Sequence, residues 1–198
     1  MRETIKGHGL WVWQTAQTCG GDPARLADQA AELGLGHVLF KVLDGADRRI
    51  PDIRFVERVA PLLRERGIQV VPWGYWYSDV PNPVGHLSTP AQAATEVIKV
   101  CRDLDCGVFV VNAEREMKRR GQVEKAAEFG RAFRRVDSEG QIALGLSTFA
   151  LPRLHPEFPY SAFLGGPEPD GWDFVLPQCY GTDPVAQAEE ARIALSKW

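Results

Sequence analysis

The chain has 198 residues, 44% of them hydrophobic and 25% charged, and a net charge of −3. That balance predicts one soluble domain, residues 1–198, with a sizeable core, and the lack of a sustained basic run excludes nucleic acid as the main partner, because phosphate neutralisation needs clustered Lys and Arg. No apolar stretch reaches the roughly 20 residues that span a bilayer, and the N-terminal residues lack the apolar segment of an export signal, so neither membrane insertion nor secretion is expected.

In chain order, Leu10-Trp11-Val12-Trp13 reads as a first strand. Asp22-Pro23 then supplies a cap and a first-turn proline, and Leu26, Ala27, Ala30 and Leu33 recur at helical spacing until Gly34. The plan repeats with His37–Asp44 as strand and Phe55, Val56, Val59, Leu62 and Leu63 as a helical stripe ending at Gly67. Gln69–Tyr77 is a third strand, rich in rings, followed by a loop, a Thr89-Pro90 start, and the stripe Ala94, Val97, Ile98, Cys101, Leu104.

The fourth unit opens with Cys106-Gly-Val-Phe-Val-Val-Asn112-Ala-Glu114-Arg-Glu116, an apolar run that ends abruptly in carboxylates. In a strand of period two, Val108, Val110, Asn112 and Glu114 point the same way, which sets an amide beside a carboxylate at the C-terminal tip. Val123, Ala126, Ala127, Gly130 and Phe133 follow as a helix face, and Ile142–Ser147 is the fifth strand. Prolines break any long helix between 150 and 171, which predicts loop with short turns. Asp173–Tyr180 is the sixth strand, and Asp183-Pro184 starts a helix running to Trp198.

Six strand-helix units of roughly thirty residues, with strands too apolar for a one-faced sheet, predict an α/β fold of parallel strands covered by helices. The spacing favours a TIM-type (β/α) barrel; a closed one needs eight strands and typically about 250 residues, so this barrel is expected to be truncated or incomplete at the C-terminus. A doubly wound sheet is the runner-up, weakened because no Gly-rich dinucleotide fingerprint follows the first strand.

In such a barrel the active site forms at the C-terminal ends of the strands. The strand tips collect Trp13 and Gln14; Lys41 and Asp44; Trp73, Tyr75 and Trp76; Asn112, Glu114 and Glu116; Ser147; and Gln178 with Tyr180. Rings beside carboxylates and amides suit a sugar, whose C–H faces stack on aromatics while its hydroxyl and acetamido groups need polar partners. Cys179 alternates with Gln178 and Tyr180 and is expected to face the helices.

Three stretches carry a family resemblance. Phe40-Lys41-Val-Leu-Asp44-Gly45, Val111-Asn112-Ala-Glu114 and Pro177-Gln178-Cys-Tyr180 resemble, in order and spacing, the Lys-x-x-Glu-Gly, Asp-x-Glu and Gln-Tyr strand ends of the family 25 lysozyme-like muramidases. The likeness extends more remotely to the family 18 chitinases. It implies a glycoside hydrolase acting on an N-acetylhexosamine-containing glycan such as peptidoglycan. Glu114 would be the general acid, with Glu116 or Asp44 as a neighbouring carboxylate and Trp13, Lys41, Trp73, Tyr75, Trp76, Gln178 and Tyr180 as substrate contacts. A phage-type lysin released at lysis would fit. Two positions depart from the pattern: Asn112 stands where the families carry Asp, and Trp11-Val-Trp13 lacks a first-strand Asp. An amide hydrogen-bonds an acetamido group but cannot hold negative charge, so a non-catalytic glycan-binding or structural barrel is the competing expectation.

Other chemistries find less support. His8, His37, His86 and His155 lack paired ligand spacing, and the cysteines 19, 101, 106 and 179 lack a CxxC pair, so no metal is expected and reduced thiols place the chain in a cytoplasm. Ser147 has no G-x-S-x-G surround. No phosphate-binding glycine loop and no cofactor signature occur. Oligomeric state is not legible.

Overall fold

A computed structural model describes residues 4–165 and 172–196. Six parallel strands, β1 (Gly9–Val12), β2 (His37–Asp44), β4 (Gln69–Tyr75), β5 (Val108–Asn112), β6 (Ala143–Phe149) and β7 (Phe174–Gln178), pair in sequence order, and the short antiparallel β3 (Asp47–Arg48) joins β2. The main helices are α1 (Pro23–Glu32), α2 (Ile50–Glu65), α3 (Pro90–Asp103), α4 (Gln122–Val136), α5 (Tyr160–Leu164) and α6 (Pro184–Leu195). This is the TIM-type architecture as a curled, open half-barrel with β1 and β7 at its edges.

Helix starts follow local chemistry. Asp22 accepts the backbone N–H of Ala24 at 2.9 Å and of Arg25 at 3.3 Å, and Thr89 exchanges hydrogen bonds with Gln92 in a capping box. The strands then divide the core by alternation. One set of side chains, including Leu39, Val71, Trp73, Val108, Val110 and Ala143, fills the inside of the curl. The other set, including Phe40, Val70, Phe109, Val111, Leu144 and Leu146, packs against the helices. Gly145 permits the curl between β6 and β7, since a Cβ there would meet the Phe174 ring at 2.3 Å.

The register of β2 against β4 slips between Lys41 and Leu43. Val42 and Leu43 consequently both join the helix-side core, and Asp44 returns to the same side as Lys41, whose ammonium it meets at 2.6 Å. A regular strand would have turned Asp44 away.

Three expectations need correction. Leu33 caps the C-terminus of α1, beyond its buried stripe, and is 73% exposed. Val123 is 52% exposed because α4 turns Gln122 inward instead, where it bonds Ser78 and Asp79. The third strand ends at Tyr75, short of Tyr77. From 150 to 165 the chain forms a turn of 3-10 helix at Pro152–Leu154 and then α5. Ring contacts fasten this segment to the helix layer: Phe163 lies 4.9 Å from Trp172, which stacks on Phe129 at 5.4 Å. Residues 166–171 and Trp198 lie outside the described residues.

At the opposite end of the strands, Arg134 ties α4 to the sheet through Asp173 at 2.6 Å and the Ile142 carbonyl at 3.0 Å. Asp173 also accepts the Leu144 N–H at 2.6 Å. Asp173 is thus a brace at the N-terminal end of β7, remote in the fold from the strand tips.

Candidate active site

The strand tips enclose a cleft of about 710 Å³ lined by Trp11, Trp13, Lys41, Trp73, Tyr75, Tyr77, Asn112, Glu114, Arg115, Glu116, Ser147, Gln178 and Tyr180, among others. Alternation explains the gathering: Trp11 on β1, Lys41 on β2, Trp73 and Tyr75 on β4, Asn112 on β5, Ser147 on β6 and Gln178 on β7 share the inner face.

On the β5–β7 side the carboxylate of Glu114 is bound by amides. Its Oε1 accepts Asn112 Nδ2 at 2.9 Å and Gln178 Nε2 at 3.0 Å. The Gln178 amide also donates to Asn112 Oδ1 at 2.9 Å and lies 3.4 Å from Ser147 Oγ. Asn112 therefore keeps one fixed orientation, its nitrogen toward Glu114 and its oxygen toward Gln178. The half-exposed position of Glu114 leaves its carboxylate open to the cleft.

On the β1–β4 side the carboxylate of Asp44 is bound by cations and a phenol: Lys41 Nζ at 2.6 Å, Arg49 Nε at 3.5 Å and the Tyr77 hydroxyl at 3.1 Å. Aromatic rings line the same side of the cleft. Trp11 meets Trp73 edge-on at 5.1 Å, and Trp13 is 61% exposed.

Between the two sides, Tyr75 donates to Glu116 Oε2 at 2.6 Å while Arg115 Nε reaches Glu116 Oε1 at 2.8 Å. Burial opposes ionisation of Glu116, but the Tyr75 hydroxyl and Arg115 outweigh it and hold the carboxyl below its usual range. Burial pushes the Tyr75 phenol strongly up, reinforced by Glu116, and burial with Asp44 does the same for Tyr77. Both phenols are hydrogen-bond donors throughout the ordinary pH range. Tyr180 is raised by burial and by the charge of Glu114.

Trp76 does not belong to this group. One residue past Tyr75 in the alternation, it turns to the helix side, 2% exposed, and packs on Phe129 at 4.8 Å. Cys179 follows the last residue of β7, where alternation lapses, and lines the cleft instead of facing the helices. Glu116 and Asp44, the two carboxylates considered as neighbours for Glu114, are engaged by their own donors. Trp11, Tyr77 and Arg115 were not singled out from sequence. Trp11 was detectable, because it shares the face of Trp13 on a period-two strand. Among the described residues no group of three or more His, Cys, Asp or Glu is arranged to hold a metal ion.

No family model and no curated protein sequence matches the chain. Solved structures do. The catalytic domain of a hyperthermophilic chitinase from Pyrococcus furiosus superposes with a TM-score of 0.63 at 15% identity, covering 99% of this chain and 67% of that one. A catalytic-site mutant of active domain 2 of the Pyrococcus furiosus chitinase, complexed with chito-oligosaccharides, gives 0.61 at 15% identity, covering 99% and 67%. A type I 3-dehydroquinate dehydratase from Clostridium difficile gives 0.53 at 7% identity, covering 88% and 61%. At such identities the likeness is one of fold: the chain is built like the barrel of chitinases, and the same barrel carries a dehydratase. No helix among the described residues is long and apolar enough to cross a membrane.

Proposed function

We propose that the cleft binds an N-acetylhexosamine-containing glycan, of the chitin or peptidoglycan type, and cleaves it with Glu114 as general acid. The observation that carries this reading is the carboxylate of Glu114 in a ring-lined cleft, held by two carboxamides and open on its remaining side. The fold shared with a chitinase solved with chito-oligosaccharides supports the substrate class.

In this reading Glu114 gives its proton to the glycosidic oxygen as the C1–O bond breaks. The acetamido oxygen of the sugar attacks C1 in place of a protein nucleophile, and water opens the resulting ring with Glu114 as base. Asn112 and Gln178 supply hydrogen bonds for the acetamido group, Tyr75, whose proton goes to Glu116, offers its oxygen as an acceptor, and Trp13 and Trp73 offer faces for the sugar rings.

A second reading, a glycan-binding barrel without turnover, is favoured by Asn112, since an amide stabilises the cationic ring intermediate less than the Asp of the resembling families. Release of reducing ends from peptidoglycan and from chitin oligomers, compared for the native chain and Glu114→Gln, separates the two. Turnover lost in the variant with binding retained supports the acid; equal turnover in both sinks it; binding without turnover in the native chain selects the second reading.

A further inference from the structure

We infer that Lys41, Asp44 and Arg49 are positioning residues that hold Trp13, together with Trp73, as a fixed stacking platform for a sugar ring; the ligand in this statement rests on the glycan reading above. The Lys41 ammonium lies 5.8 Å from the centroid of the Trp13 ring and 5.6 Å from that of Trp73. Both fall inside the roughly 6 Å at which a cation is drawn to an aromatic face.

The Lys41 side chain is 8% exposed, so its charge needs a partner, and Asp44 Oδ1 supplies one at 2.6 Å. Arg49 Nε lies between two carboxylates, Asp52 Oδ2 at 3.0 Å and Asp44 Oδ2 at 3.5 Å, and Arg49 Nη1 donates to the main-chain oxygen of Trp13 at 3.1 Å. The circuit closes. Asp44 reaches Trp13 by both routes, through Lys41 at the ring and, together with Asp52, through Arg49 at the backbone.

Trp13 needs such support. The pairing of β1 with β2 ends at Val12, so Trp13 stands beyond the sheet with a largely exposed ring. A free indole would lose rotameric freedom on stacking with a ligand; one already held does not. Asp44 has both oxygens engaged, by Lys41 and Tyr77 on one and Arg49 on the other, which makes it a hub for the platform and not a second acid for the reaction.

The test uses the full chain labelled with 5-fluorotryptophan, the Trp13 signal being assigned with Trp13→Phe. In Lys41→Met the Trp13 fluorine resonance should shift and broaden without any ligand, and triacetylchitotriose should bind about tenfold more weakly, with KM rising by a similar factor and kcat changing far less. Arg49→Gln, at a partly exposed side chain, should move the same resonance and serves if Lys41→Met fails to fold. An unmoved Trp13 signal in the folded variants overturns the network, as does a moved signal with unchanged affinity. Failure of the native chain to bind any acetylated oligomer overturns the glycan reading instead, and the ligand-free spectra then decide alone whether the network holds Trp13.

Discussion

Asp44 and Glu114 face one cleft from opposite sides, and their surroundings differ in kind. Asp44 sits among Lys41, Arg49 and a phenol, so its charge is neutralised and its oxygens are used. Glu114 sits among carboxamides, which orient it without supplying a formal positive charge. A carboxylate fixed by cations is committed to holding them in place, whereas one fixed by carboxamides is oriented without being neutralised. Position at a strand tip is therefore insufficient to assign a role; the partners decide.

The largest expected effect comes from exchanging the charges. Glu114→Gln should lower kcat by about 10²–10⁴, the usual worth of a general acid, while leaving stability within about 0.5 kcal/mol; steady-state kinetics and urea unfolding read the two. Asp44→Asn should do the reverse to stability, costing about 3 kcal/mol in urea unfolding because Lys41 is left buried beside an amide, near the lower end for breaking a buried pair. If both variants lose stability equally, the contrast fails.

Asn112→Asp sharpens the contrast on the Glu114 side. Two carboxyls in hydrogen-bond contact would share a proton. The alkaline limb of the activity profile should move up by about one pH unit, and an unchanged profile would show that residue 112 does not touch the acid.

The smallest effect concerns Glu116. Its folded-state pKa lies below the ordinary value of 4.5. Its contribution is therefore fully present above the ordinary carboxylate range and is lost as pH falls through the lowered value. Removing the donor in Tyr75→Phe should flatten the acid side of the stability curve by less than about 1 kcal/mol, measured as Tm against pH from pH 3 to 6.

The barrel was legible because strands of alternating or continuous apolar character recur with capped helices between them, and Asp22-Pro23 and Thr89-Pro90 formed the caps that their chemistry dictates. The rim was legible too, since Lys41, Trp73, Tyr75, Asn112, Glu114 and Gln178 fall on one face. Trp76 differs from Trp73 and Tyr75 by parity: one residue past Tyr75, it turns to the helix side although it belongs to the same run of rings. Tyr77 and Arg115 escaped since they lie beyond the strands, where no period fixes direction. The pairing of Arg49 with the Trp13 carbonyl joins positions 36 residues apart, and nothing local encodes it.

The extra residue at Val42 gives this cleft a sensitivity of another kind. Ironing that irregularity out with every residue kept would turn Leu43 toward the cleft and send Asp44 into the helix layer, stranding the Lys41 charge. The functional groups here are written in the spacing of the chain as much as in its letters, so any transplant of the Lys41–Asp44 pair to another barrel has to carry the irregular strand with it.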